Sequence, residues 1–413
     1  MEFNEHLLKY LSESEIKDLC ASFSDTSLRA ILLNTNKINK EKMLEIYPFL
    51  KEHPIVENAF IYNPNENPLG KSIEHFLGLF YIQEPSAMVP SYLLNANEND
   101  IVLDLCAAPG GKTIQTSFLM KNKGLIVAND LSTQRAGIIL ENIERLGLGN
   151  VVITNNDFKN FSGFYKNYFT KIILDAPCSG SGMFKKDDKM IADWSYNKVL
   201  KFAQEQKDMI LYAYDMLKPG GTLLYSTCSF SFEEDEEVIE FLLQNRDAEI
   251  IPIEKNPLFY ICKSKPLGIH LFPNIFPGDG QYICLIKKPG ELVYNTKENN
   301  ELTTFGDFLF KINTEFRFPK QLKIVRYGLK IGEKIKNKND IIFDYHYSRF
   351  LYDFEKEYEL SDLELNSFLK GESLQVSLDK GFYLIKYKGY SLSFAKSDGR
   401  ILKNHLPKYN RLK

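Results

Sequence analysis

The segment from residue 101 to 177 sets the tightest limit on what this chain can fold into. IVLDL (101–105), GLIVAND (124–130), VVITNND (151–157) and KIILDAP (171–177) are short apolar or β-branched runs with an aspartate at or near the end of each, and helix-patterned stretches separate them. Continuous apolar runs suit strands buried on both faces, and alternation with helices is the pattern of a parallel sheet covered by helices. GGTLLYSTCS (220–229), AEIIPIE (248–254) and GQYICLIKK (280–288) extend the series. No helical window lies between the last two, so they are expected to pair as a hairpin at the sheet edge. The expectation is an α/β core of seven strands.

A chain of 413 residues with 44% hydrophobic content has room for two or three domains. Residues 1–75 alternate helical patterns with the strand-like SLRAILLNTNKI (27–38) and end in the Pro, Asn and Gly cluster IYNPNENPLG (61–70), which predicts a small α+β domain. The core unit then spans 76–290. KKPGELVYNTKENN (287–300) reads as a linker, so 291–360 is expected to hold a linker and a first small unit, and 361–413 a second.

A formal net charge of −3 and a pI near 6.2 exclude nucleic-acid binding by bulk charge, which leaves local patches to make any such contact. Cys20, Cys106, Cys178, Cys228, Cys262 and Cys284 form no CxxC pair, no zinc spacing and no disulfide-dense cluster. Free thiols, no metal and a cytoplasmic protein are the expectation. The amino terminus, MEFNEHLLKYLSESEIKDLC, carries acids in an amphipathic pattern where a signal peptide needs a basic start. No run approaches the roughly 18 apolar residues of a membrane span. The acidic run Glu233 to Glu237 follows Ser229 and Ser231 and reads as a solvated helix start and not as a metal site.

The first core strand runs straight into DLCAAPGGKT, Asp104 to Thr113. Small residues between a strand and a helix let backbone N–H groups approach a polar ligand closely. The turn is neither GxGxxG nor GxxxxGK[ST], which disfavours a nicotinamide dinucleotide or a nucleoside triphosphate. Asp130, Asp157 and Asp175 stand at the ends of the next three strands, where a doubly wound sheet gathers its ligand contacts. The first suits a ribose diol and the second an adenine amino group, although each alone would also serve as a helix N-cap.

Cys178, in DAPCSGSGMF (175–184), and Cys228, in YSTCSFSFEEDEE (225–237), each follow a core strand directly. A lone cysteine is usually a small buried apolar residue. Two of them in Ser-, Gly- and Pro-flanked strand-end turns are expected to face one cleft, where a thiol can reach a substrate.

At these residues the chain resembles the Nop/Sun family of RNA cytosine-5 methyltransferases, and within it the bacterial RsmF type that acts on small-subunit ribosomal RNA. GLFYIQEPSAMVP (78–90) is similar to the family's substrate-side segment, CAAPGGK (106–112) to its cofactor loop, DAPCSGSGMF to its assisting-cysteine motif and YSTCS to its nucleophile motif. SLRAILLNTNKI resembles the family's amino-terminal RNA-binding segment. YGLKIGEKIK (327–336), FLKGESL (368–374) and the stretch from 394 to 413 resemble its carboxy-terminal extension, which ends in a PUA-like RNA-binding module, although Leu406 and Tyr409 depart from the usual pattern.

The resemblance implies a class I, Rossmann-like fold that uses S-adenosylmethionine. It implies that Cys228 is the nucleophile and that Cys178 helps release the product. Cys106, Ala107, Ala108, Pro109, Gly110, Gly111, Lys112, Asp130, Asp157 and Asp175 would line the cofactor pocket, with Arg135 near the ribose, and Lys112 and Asp175 would also contact the cytosine. Chemistry alone does not choose between the two cysteines, because DNA methyltransferases place their nucleophile in a Pro-Cys motif. A thiol is needed because carbon 5 of cytosine is too electron-poor to take a methyl group directly, whereas addition at carbon 6 makes it enamine-like. Hydrogen bonding at ring nitrogen 3, a role suited to Asp175, assists the addition, and the base must leave its stack.

The implied partner is RNA, 16S rRNA or the small subunit, with neither DNA nor membrane involved, and nothing demands more than a monomer. Lys320 to Lys338 holds seven Lys or Arg against one Glu, and 396–413 six against one Asp; Tyr327, Phe382, Tyr383, Tyr387 and Phe394 lie nearby, a mixture that suits phosphate contacts with base stacking. A tRNA cytosine-5 methyltransferase and a non-catalytic ribosome-assembly factor are the alternatives. Intact Cys178 and Cys228 speak against the second.

Overall fold

The structure, a computed structural model, describes residues 2–186, 188–294, 299, 301–316, 318–335 and 340–412. Lys336, Lys338 and Lys413 of the two basic patches, and 295–298 and 300 of the expected linker, lie outside the described residues.

The amino-terminal unit is built on β1 (Arg29–Leu33), β2 (Lys51–Glu52), β3 (Ala59–Tyr62) and β4 (Phe80–Gln83), an antiparallel sheet in the order β2-β3-β1-β4. β4 leads into the helix Pro85–Leu94, which starts cleanly because Pro85 needs no N–H partner there and Glu84 accepts from Ser86 N and Ala87 N.

The central sheet uses β5 (Ile101–Asp104), β6 (Leu125–Asn129), β7 (Val151–Thr154), β8 (Phe169–Asp175), β9 (Leu217–Thr227), β10 (Glu249–Ile251), β11 (Ile269–Leu271) and β12 (Gln281–Lys287). β5 lies parallel to both β6 and β8; β7 follows β6 on one side, and β9 follows β8 on the other. The order therefore reverses at β5 and opens a crevice at the carboxyl ends of the strands. β12 runs antiparallel to β9, and β10 pairs with β12 through Ile250↔Ile286; the two runs do pair at the sheet edge as expected, but with β11 between them in the chain they do not form a hairpin. Alternate residues point into two different cores: Val102, Ile126 and Ile173 into one, Leu103, Val127 and Ile172 into the other.

Two strands join the seven expected. β11 pairs with β12, and, beyond the hairpin of β13 (Leu302–Phe305) and β14 (Phe308–Lys311), β15 (Ile324–Tyr327) returns to the central sheet and lies antiparallel on β7. The sheet has nine strands, one of them supplied from beyond the expected linker. A five-stranded sheet drawn from residues 357–404 closes the chain.

The tail corrects one expectation. Tyr327, Tyr383, Tyr387 and Phe394 are buried in the cores of these units, so they are not a stacking surface; of the five aromatics only Phe382 is partly exposed. Arg326 is buried as well, where it pairs with Glu144 and meets His346 Nδ1 at 3.1 Å, which removes it from any phosphate-binding patch. Arg349 is fully buried and binds three parts of the chain together: its guanidinium donates to Phe76 O, Arg145 O, Ser391 O and Leu392 O. Among the described residues no helix is long and apolar enough to cross a membrane.

Candidate active site

A cleft of about 370 Å³ opens at the carboxyl ends of β5 and β8, walled on one side by the segment 81–84 and on the other by residues 279–281. The loop after β5 forms its floor. Gly110 takes φ +109°, a conformation that favours glycine, and Gly111 begins the helix Gly111–Leu119 so close to Gln83 that a Cβ there would lie 2.7 Å from Nε2. Asp104 ends β5 fully buried; one oxygen accepts from Thr113 Oγ1 at 2.6 Å and the other has no partner. Burial, and then the neighbouring Asp175 and Asp130 charges, raise its pKa to about 7 against the pull of the Thr113 hydrogen bond. Burial likewise holds the Cys106 thiol protonated.

Lys112 reaches across the cleft to Asp175, Nζ to Oδ2 at 2.7 Å. The second Asp175 oxygen accepts from Ser226 Oγ at 2.7 Å and Gln281 Nε2 at 3.0 Å, so three strands and a helix fix one carboxylate that remains about a third exposed. Cys228 lines the same space. Cys178 does not line it; it lies directly behind, Sγ to Sγ 3.0 Å. The hydrogen bond to Cys228, and then burial, raise the Cys178 pKa well above the thiol range, which favours its protonated form.

The remaining sequence candidates are placed less directly. Cys106, Ala107, Ala108, Pro109, Gly111 and Lys112 line the cleft, whereas Gly110, Asp130, Arg135 and Asp157 do not. Asp130 is buried and accepts from Ala108 N and Ser132 N, with Arg135 Nη2 3.5 Å away and donating to Ala108 O. Asp157 caps the helix Phe158–Ser162 by accepting from Lys159 N, the helix-cap reading of that residue.

The acidic run corrects a second expectation. Glu233, Glu234, Asp235 and Glu236 are buried, not solvated, because partners from the preceding turn and from distant segments close over them. Lys9 Nζ reaches Glu233 at 2.8 Å, and Thr227 Oγ1 donates to Asp235 at 2.6 Å. Asp235, Glu236 and His270 form the one group of potential metal ligands among the described residues. Glu236 meets His270 Nε2 at 2.8 Å, while Asp235 Oδ2 faces Nδ1 at 4.0 Å and both of those buried atoms lack a hydrogen-bond partner.

Sequence matching agrees with this architecture. Residues 91–287 match the model of the 16S rRNA methyltransferase RsmB/F family, residues 1–85 the N-terminal domain of RsmF and residues 355–412 the RsmF PUA domain. Ribosomal RNA small subunit methyltransferase F of Shewanella piezotolerans is 30% identical over 98% of this chain and 97% of its own. The chain belongs to the RsmB/F family. It is a methyltransferase, with an RsmF-type amino-terminal domain and a PUA domain.

Solved structures of similar fold include a methyltransferase homolog from Pyrococcus horikoshii (29% identity, TM-score 0.61, 69% of this chain and 93% of that one). Another is NSun6 of Pyrococcus horikoshii with SFG (21%, TM-score 0.63, 70% and 98%).

Several residues of this RsmB/F site were not singled out within their motifs by sequence. Gln281 and Ser226 sit inside strands and count only because their strands flank Asp175. Glu84, which accepts from Asp279 N, and Asp279, which accepts from Ser27 Oγ, join the amino-terminal unit to the cleft wall through residues far apart in sequence.

Proposed function

We propose that this protein methylates carbon 5 of a cytosine in 16S rRNA, with Cys228 as covalent nucleophile and S-adenosylmethionine as methyl donor. The observation that carries the reading is that one thiol faces the cleft beside the Lys112–Asp175 pair while a second, protonated thiol backs it at 3.0 Å.

The cofactor loop fits such a donor. Asp104 keeps a buried oxygen without a partner at the cleft floor, a ready acceptor for an ammonium group, and glycine at 111 starts the helix without a side chain in the cleft. When bound, S-adenosylmethionine supplies an electrophilic methyl group on a sulfonium. Asp130, with Arg135 beside it, and Asp157 are assigned the nucleoside end.

After loss of its proton, Cys228 Sγ adds to carbon 6 of the flipped base, the electron pair moves towards carbon 5, and carbon 5 would take the methyl group as the methyl–sulfonium bond breaks and the donor leaves as a neutral thioether. Asp175, held by Lys112, Ser226 and Gln281, orients the amino and N3 edge of the ring and stabilises the adduct. A base then removes the carbon 5 proton, the S–C6 bond breaks, and Cys178, whose Sγ lies 3.0 Å from Cys228 Sγ, supplies a proton to the departing sulfur. Lys186 on the cleft wall brings positive charge that suits a nucleotide phosphate, whereas Arg29 on the same wall is paired with Asp279.

Bisulfite sequencing of RNA from cells with and without the gene, complemented by wild type or Cys228→Ala, tests the reading. One or a few protected cytosines of 16S rRNA should lose protection without the gene, and only the wild type should restore them. Identical profiles in all strains would refute it.

A further inference from the structure

Between the two thiol-bearing turns lies a carboxylate that takes no part in the chemistry described so far. Glu234 is fully buried, and four donors converge on it. Oε1 accepts from Ser179 N at 2.8 Å and Gln206 Nε2 at 3.2 Å; Oε2 accepts from Ser179 Oγ at 2.5 Å and Ser229 Oγ at 2.7 Å. Ser179 follows Cys178 and Ser229 follows Cys228, so one side chain grips the neighbour of each thiol. Gln206 also donates to Pro177 O at 2.8 Å, on the other flank of Cys178. Tyr225 OH donates to the Glu234 carbonyl at 2.6 Å and fixes the acid to β9.

We propose that Glu234 is a positioning residue that sets the separation of Cys228 and Cys178. The proposal rests on the reading of those cysteines as nucleophile and assisting thiol. A turn that follows a strand end has few constraints of its own, and each of these two must hold a sulfur to a fraction of an ångström. A buried carboxylate without a cation is costly to the fold unless donors surround it, and burial does push the Glu234 carboxyl upward. Here all four donors belong to the two turns or to the glutamine that braces one of them.

The role makes a specific demand on substitution. Both donors at Oε1 are N–H groups, so a glutamine at 234 must place its oxygen there and turn its NH2 towards the two serine hydroxyls, which can rotate to accept. Gln restores the geometry without the charge, whereas Ala removes it and Asp is too short to span both turns.

The test uses the full chain and two readouts. The first is diamide oxidation of the free enzyme, following the Cys178–Cys228 disulfide by peptide mass spectrometry; it needs neither RNA nor the proposed reaction. The second is single-turnover methyl transfer to a 16S rRNA transcript. Glu234→Ala should form the disulfide about tenfold more slowly and transfer methyl about 10²-fold more slowly, with the cofactor KM unchanged. Glu234→Gln should stay within about threefold of wild type in both.

Wild-type disulfide formation in Glu234→Ala, or a Gln variant as impaired as Ala, would overturn the proposal. If Glu234→Ala does not fold, Ser179→Ala and Ser229→Ala decide it, since each removes one grip: slower disulfide formation supports the role and wild-type rates refute it. Cys228→Ala is run beside them. If it still transfers methyl, the nucleophile reading fails, while the oxidation rates continue to judge Glu234 on their own.

Discussion

Cys178 and Cys228 stand sulfur to sulfur at 3.0 Å at the ends of the neighbouring strands β8 and β9, and only Cys228 opens onto the cleft. The asymmetry assigns different defects to the two alanine variants. Cys228→Ala should give no product and no adduct. Cys178→Ala should still attack but release slowly, so a covalent RNA–protein band should accumulate on a denaturing gel. Equal behaviour of the two variants would contradict the division of labour.

Lys112 and Asp175 form a pair whose carboxylate is further held by Ser226 and Gln281. Lys112→Met removes the cation and leaves the carboxylate on neutral donors. Methyl transfer should fall about 10²–10⁴-fold, with a small change in melting temperature because Asp175 is partly solvated. A variant near wild-type activity would remove the pair from the mechanism.

Gly182 packs against the nucleophile turn: its N–H donates to Cys228 O at 2.7 Å, and a Cβ would fall 2.8 Å from Cys228 O and 2.9 Å from Gly280 O. Gly182→Ala must displace one backbone or the other. A rate loss of about 10²-fold is expected even where the protein remains folded by circular dichroism.

Asp104 gives a pH dependence with a defined sign. Its folded pKa of about 7 lies above the ordinary carboxylate value, so the native state holds a proton that the unfolded chain has released. Stability should fall as pH rises from about 4 to about 7, by on the order of 2–4 kcal/mol, and then level off. Asp104→Asn should flatten that part of the urea-denaturation profile. A cationic ligand group beside Asp104 favours its ionised form, so S-adenosylmethionine binding should strengthen through pH 7 and release a proton, measurable by calorimetry in buffers of different ionisation enthalpy.

Arg349 satisfies carbonyls of three chain segments in a fully buried position. Arg349→Ala should cost about 3 kcal/mol or more in a denaturant titration, since several buried acceptors lose their donor together. Lysine should not rescue it, because a single ammonium lacks the planar fork that reaches all four.

What the sequence made legible is what local pattern encodes. The apolar runs that became β5 to β8 and β12 were readable because strands buried on both faces give continuous apolar runs, and the loop from Asp104 to Thr113 because a strand, a glycine turn and a helix occur in one stretch. The acids at 233–236 were misread because their burial depends in part on Lys9 and His270, neither of which is a neighbour in sequence. The tail aromatics were misread for a related reason: an aromatic beside lysines looks the same whether it faces solvent or a core. Pairing explains β15 too. IVRY announces a strand, but nothing in it says that the strand belongs beside β7.

That late strand also imposes an order on synthesis. As the chain leaves the ribosome, β7 emerges with its outer backbone groups bare, and they stay so until Ile324–Tyr327 has been made. An open strand edge invites pairing with other chains. The cofactor loop and both cysteines are therefore synthesised before the strand that seals this edge of their sheet.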